Sequence, residues 1–219
     1  MPPWCGTASS MPVIEPAAGP GAAVLPLFPL QTVLFPGGLL MLKVFEARYL
    51  DLVTRCLRSG QGFGVICLRQ GREVGKATQP VLFEPIGVHA RIEEVDGEQA
   101  GILKVRCIGQ ERFRLEGKPE QLADGLWQSA FSDVEPDTHR VPGPAVFDTV
   151  KALSNAIATL RERGQLPFVE PFRLDDAGWV ANRWCELLPI PLSAKQKLME
   201  LEDPVVRLSV VDGYLRDKQ

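Results

Sequence analysis

Nucleophilic chemistry needs a hydroxyl or thiol held beside a base, and the chain offers two such pairings. Ser193 and Lys195 suggest a Ser/Lys pair, and Cys107 with His89 would join a thiol to an imidazole; the only other histidine is His139. Both pairings have simpler structural readings. Ser193-Ala-Lys-Gln196 has the pattern of a helix capping box, a hydroxyl at the N-cap with Gln three residues on, which leaves Lys195 as a solvated cation. His89 lies in a strand-like alternating run, and Cys107 sits among apolar neighbours, where a thiol serves as a small buried hydrophobe. Phosphate chemistry is weaker still. A Walker A loop needs G-x4-G-K-[ST], so that backbone amides cradle phosphate and a hydroxyl reaches Mg²⁺. The nearest stretch, 71–77 (GREVGKA), is one residue short and places Ala77 where the hydroxyl belongs. The cysteines are Cys5, Cys56, Cys67, Cys107 and Cys185, with no CxxC among them. Neither a zinc knuckle nor a redox pair is supported, and a reducing compartment fits best. No enzyme activity, metal or cofactor is therefore expected.

Binding chemistry has better candidates. Phe28, Pro29, Leu30, Phe35 and Pro36 combine apolar area with stiff backbone. A rigid apolar ridge loses little ordering entropy on contact and suits a binder of unfolded segments. An exposed edge strand beside it would also accept an extended peptide by backbone pairing. The competing reading is that the five residues only close a core. Lys104 and Arg106 share one face of a strand, and Arg112 and Arg114 share one face of the next. Paired as a hairpin, the four would form a basic face able to meet nucleic-acid phosphates. Glu93, Glu94, Glu98 and Glu111 lie close by, so cross-strand ion pairs are the competing reading. Glu46 and Arg48 are read as a helix-start pair, the acid favoured by the helix dipole.

These residues need elements to hold them. Residues 24–30 (VLPLFPL) read as an extended segment, and Pro26 and Pro29 predict an edge or irregular strand. A turn at 35–38 (FPGG) precedes a buried strand at 39–45. A helix follows over about 46–58, with apolar positions Tyr49, Leu50, Val53 and Leu57 and a stop at Gly60. Strands are expected at 63–69 and 88–95, the latter turning at Asp96-Gly97. A hairpin is expected from 102–108 and 111–115 around Gly109-Gln110, then a last strand at 126–134. Beyond Pro144 the period becomes helical, with helices to Gly164 and over 175–188. Asp203-Pro204, an acid cap before Pro at the first helical position, opens the last of two short closing helices.

The 219 residues, 45% apolar and 23% charged, suffice for a sizeable core in one large domain or two small ones. Net charge is −3 and neither half is basic, so no global attraction to nucleic acid or anionic membrane is expected. Residues 16–42 carry no charge, but five prolines interrupt them, which rules against a membrane span. With no secretory signal visible, the chain is expected to be cytoplasmic. Residues 1–22 read as a flexible tail, 23–137 as a β-rich domain and 138–219 as a helical subdomain.

Read in order, these segments resemble the N-terminal, substrate-binding domain of Lon protease, which also occurs in stand-alone bacterial proteins. The opening LPLFPL, the FPG turn, a strand and FEARY leading into a helix (25–53) carry the likeness. So do 86–92 (IGVHARI), 105–115 (VRCIGQERFRL) and the blocks from Leu187 to Leu208. The resemblance spans about residues 24–216. It implies an α+β fold, a PUA-like β pseudobarrel with one inserted helix, followed by a C-terminal helical bundle. It also implies a non-catalytic polypeptide-binding module, since Lon's ATPase and protease parts have no counterpart here. The expected partners are unfolded or partly folded polypeptides, or a protease, with a homo-oligomer in scope. Nucleic acid stands second, as the alternative of an RNA-binding PUA-like protein using Lys104, Arg106, Arg112 and Arg114.

Overall fold

The structure, a computed structural model, describes residues 23–71 and 80–218. The tail at 1–22, and all of the 71–77 stretch but Gly71, lie outside the described residues.

Among the described residues, seven strands and five α-helices form a mixed α+β fold. Strand β1 (Val24–Leu30) opens the chain, followed by β2 (Leu39–Val44), helix α1 (Ala47–Ser59) and β3 (Phe63–Gln70). Then come β4 (Leu82–Phe83), β5 (Ile86–Gln99), β6 (Ile102–Gln121) and β7 (Trp127–Asp133). The helices α2 (Phe147–Glu162), α3 (Ala177–Leu187), α4 (Leu192–Glu200) and α5 (Pro204–Arg216) end it. No helix among the described residues is long and apolar enough to cross a membrane.

Strand pairing closes on itself. The order β1-β7-β6-β5-β3 returns to β1 through a parallel β1–β3 pairing, so five strands make a ring. β1 is therefore not an edge. Residues Val24 to Leu27 pair with β7, Leu27 to Leu30 pair with β3, and Leu27 belongs to both ladders. The prolines are tolerated because Pro26 and Pro29 lie on opposite sides of this handover, each in a half that pairs one neighbour.

The ring buries both faces of β1. Leu25, Leu27, Ile66 and Phe113 form a small cluster with Trp127 and Phe131 packed on it. Room for the Phe113 ring comes from missing side chains. A Cβ on Gly64 or Gly87 would sit 2.7 or 2.5 Å from the Phe113 Cζ. The other face joins the main core, where Phe28, Leu30, Phe35, Phe63 and Val65 pack with Tyr49 and Val53 of α1 and Cys185 and Met199 of the helical part. Phe28 stacks on Tyr49 at 4.1 Å between ring centroids.

Helix α1 begins after Glu46 and stops at the left-handed Gly60, as its sequence signals. Its buried face is Tyr49, Leu52, Val53 and Cys56, whereas Leu57 is exposed. Three local expectations fail for identifiable reasons. β2 is half-buried rather than buried, with Met41 and the following Phe45 exposed, because it lies on β6 outside the ring. β5 does not turn at Asp96-Gly97. It continues to Gln99 and turns at Ala100-Gly101, where Gly101 has φ 78° and Gly97 pairs with Leu103. The hairpin around Gly109-Gln110 is absent, because β6 is one continuous strand. Gly109 marks a close approach instead: a Cβ there would meet the Phe35 carbonyl at 2.3 Å. The 35–38 turn docks at that point, Gly37 N–H donating to Gly109 O and Gly109 N–H to Gly38 O.

The helical part is tied to the ring by buried arginines. Arg112 Nη1 donates to the carbonyls of Met199 and Leu201, and its Nη2 to Glu135 O and Asp137 Oδ1. Arg207 reaches the same carboxylate from α5, at 2.5 Å to Asp137 Oδ2. Arg183 of α3 donates to the carbonyls of Pro36 and Gly37, so α3 also holds the 35–38 turn. Its partner is Glu186, at 2.9 Å. Burial pushes the Glu186 carboxyl up from its ordinary 4.5 to about 7, against the pull of Arg183 and Lys195. An acid with a raised folded-state pKa favours the fold most when protonated, and that contribution fades as pH rises through about 7. Glu186→Gln is therefore expected to flatten the decline in stability between about pH 4.5 and 7. Urea unfolding across that window checks it.

At α4 the capping box is not formed. Pro191 is the N-cap and Ser193 lies inside the first turn. Gln196 donates instead to Ile86 O and Glu200, fastening α4 to the start of β5. At α5 the acid cap is present, Asp203 accepting from the N–H groups of Val205 and Val206.

Candidate functional site

Two surfaces have the shape and chemistry to bind. The larger is the mouth of the strand ring, a cleft of about 870 Å³. Val24 to Pro26 of β1, His89 to Arg91 of β5, Gln110 and Glu111 of β6 and Phe131 of β7 contribute, with residues 60–62 leading into β3. The last turns of α1 complete the wall with Leu52, Arg55, Cys56 and Arg58. Barrel mouths are a recurrent place for ligands, and this volume lies within their usual range of roughly 300–1,000 Å³. His89 and Phe131 line the cleft with their rings 5.3 Å apart, and the His89 ring also lies 4.9 Å from the buried Phe113. Asp133 holds the imidazole at 3.1 Å. Arg91 is engaged by Glu93 at 2.6 Å. Arg55 and Arg58 have no ion pair or hydrogen bond among the described residues. Burial pushes the Cys56 thiol up, so no thiolate answers them.

The second surface is β2. It pairs with β6 along one edge, and no strand among the described residues pairs with the other. A groove of about 290 Å³ runs beside it, lined by Phe28, Leu30, Leu40, Leu42 and Tyr49 among others. Met41 is 60% exposed and Phe45 50% exposed at its rim. Large apolar side chains exposed on an edge strand are a liability that folded chains ordinarily blunt.

The sequence-predicted residues are redistributed. Phe28, Pro29, Leu30 and Phe35 are buried and Pro36 is half-buried, so they form no exposed ridge. Phe28 and Leu30 still reach the β2 groove from beneath. The four-cation face does not assemble. Lys104, Arg106, Arg112 and Arg114 lie along one strand rather than across a hairpin. Arg112, 2% exposed, is spent on the helical part. Arg106 approaches Glu94 at 3.7 Å and Arg114 approaches Glu202 at 4.0 Å.

The nucleophile pairings fare no better. Cys107 is fully buried in the main core, and burial pushes its thiol up to about 12. His89 meets the Phe113 and Phe131 rings on the other face. Ser193 and Lys195 are two residues apart on a helix and do not face each other; Lys195 Nζ donates to Glu186 O. Glu46 and Arg48 do pair, at 2.9 Å. Arg48 also donates to Gly125 O, which anchors the helix start to the β6–β7 turn. Arg55, Arg58 and Met41 went unnoticed in the sequence. Their only signal was solvent exposure on elements whose other faces are buried, which becomes visible once the pairing is known.

Comparison with known proteins places this geometry. A family model described as the ATP-dependent protease La (LON) substrate-binding domain matches residues 24–217. The chain is similar to the crystal structure of a Lon N-terminal domain protein from Xanthomonas campestris, with 33% identity and a TM-score of 0.70, covering 86% of this chain and 96% of that one. The N-terminal domain of the Mycobacterium avium complex Lon protease shares the fold at 16% identity and a TM-score of 0.58, covering 90% of this chain and all of that one. No curated protein matches.

Proposed function

Because this chain belongs to the Lon substrate-binding domain family, we propose that it is a non-catalytic polypeptide-binding module. It captures extended, apolar segments of unfolded or partly folded proteins, and hands them on or holds them without turnover. The observation that carries the reading is the unpaired edge of β2, with Met41 and Phe45 exposed beside an apolar groove. An edge strand offers backbone donors and acceptors that any extended segment can satisfy, and the adjoining groove rewards apolar side chains. Such recognition is tolerant of sequence, as a receptor for unfolded chains requires. Free thiols at Cys56, Cys67, Cys107 and Cys185, all buried, fit a reducing cytoplasmic setting. Docking to a separate protease is the natural next step for the captured chain.

The test is a titration of a fluorescent, apolar, C-terminally amidated peptide, read by anisotropy. The double change Met41→Asp with Phe45→Asp is expected to weaken binding by about tenfold or more, about 1.4 kcal/mol. Both side chains are exposed, so circular dichroism should remain that of the parent. Unchanged affinity in the folded variant would refute the β2 site.

A further inference from the structure

The ring mouth carries chemistry that an apolar edge does not. We propose that it binds the carboxylate end of a polypeptide, the apolar C-terminal residues lying in the cleft and the α-carboxylate meeting Arg55 and Arg58. The proposal rests on the polypeptide-binding reading and names a class of client: chains whose C-terminus is free and apolar.

Three observations converge on it. The first is charge. Among formally charged side chains the cleft lining presents Arg55, Arg58 and Arg91 against Glu111 alone, beside the Cys56 thiol and His89, which Asp133 holds. Arg91 is already engaged by Glu93, while the two arginines of α1 have no anionic partner among the described residues. A cation favours the carbonyl end of a helix, which accounts for Arg58 in the last turn but not for Arg55 one turn earlier. A guanidinium fork matches a carboxylate in geometry as well as in charge.

The second is the apolar wall. Val24, Pro26 and Phe131 line the same cleft, Val24 54% exposed and the other two half-buried, over the buried Leu25 and Leu52. A purely hydrophilic anion would gain nothing from these groups, whereas a chain end with small or branched apolar side chains would cover them.

The third is the placement of neutral polar groups. Gln61 and Gln110 stand among the apolar lining residues. Gln110 Nε2 already donates to Gly109 O, but its side-chain oxygen and the exposed Gln61 amide could bond peptide groups, and a hydrocarbon tail would desolvate them without a partner, at a cost. The occupant is thus a peptide rather than a fatty acid. The cleft also sits at the end of a closed strand ring, which suits an entering chain end better than a segment that must leave again.

The experiment uses the full chain and one labelled apolar peptide in two forms, with a free C-terminal carboxylate and as the C-terminal amide. The free acid is expected to bind about tenfold more tightly than the amide at low salt. That gain should shrink at high ionic strength, since the arginines are exposed. Arg55→Gln with Arg58→Gln should abolish the gain and leave amide binding untouched. Met41→Asp with Phe45→Asp should do the reverse. Equal binding of acid and amide would overturn the proposal, as would a gain that survives loss of both arginines. Laurate displacing the free acid while amide and acid bind alike would reassign the cleft to a lipid. Loss of the β2-dependent component alone would refute the edge-strand reading and leave the carboxylate site standing.

Discussion

Replacing Asp137 by alanine is expected to cost about 3–5 kcal/mol of folding stability, because it strips two buried guanidinium groups of their shared counter-charge. Asp137 accepts from Arg112 at 2.8 Å and from Arg207 at 2.5 Å, and both arginines are almost fully buried. Burial already pulls the Arg112 guanidinium below its ordinary pKa, with Asp137 opposing that pull. Neither side chain can retreat to water: Arg112 crosses from β6 to the carbonyls of Met199 and Leu201, and Arg207 is also held by Asn182. For a chain of this size each kcal/mol moves the midpoint by roughly 2–4 °C, so a fall of about 10 °C is expected by calorimetry. Asp137→Asn, which keeps the acceptor oxygen and loses the charge, should fall between Asp137→Ala and the unsubstituted protein. A loss below about 1 kcal/mol in Asp137→Ala would show that the joint between ring and helices does not depend on this network.

Phe35→Ala is expected to be as severe, at about 3–5 kcal/mol, since it removes a fully buried aromatic ring from the main core. Its consequences reach further than the cavity. The Phe35 carbonyl packs against Gly109 and accepts from Gly38, and the turn that follows is gripped by Arg183. Chemical denaturation should show a lower midpoint with a similar slope. If the residue belonged to an exposed binding ridge, the same change would spare stability and weaken peptide binding instead. The two outcomes are opposite, which makes this the sharpest single test of where the apolar residues of the opening segment work.

Much of the fold was legible because its signals are local. The prolines and leucines of 24–30, the Gly60 stop after α1 and the Asp203-Pro204 start of α5 each report on a few neighbouring residues, and all three elements stand where expected. What stayed hidden is what depends on partners distant in sequence. Gly109 reads as a turn because glycine commonly marks one, yet it is glycine because the chain at Phe35 passes over it. Arg112 looks like any strand cation until the carbonyls of Met199 and Leu201 are brought to it. Pro26 and Pro29 argue for an edge, and only the partner change at Leu27 reconciles them with an interior strand. Exposure was hidden for the same reason: the ring buries Phe28 and Phe35, which apolar composition singled out, and leaves Met41 and Phe45, the side chains of the proposed β2 surface, exposed.

The closure of the ring also sets an order of events as the chain is made. β1 leaves the ribosome before the strands it pairs with, and half of its hydrogen-bonding partners lie on β7, where Val24 meets Ala130. Contacts so distant in sequence form late, since the entropy of closing a long loop must be met before they reward it. Until then the nascent strand shows both apolar faces to the surroundings, the condition in which newly made chains aggregate. Under the function proposed above, the chain thus passes, during its own synthesis, through the state it would recognise in others.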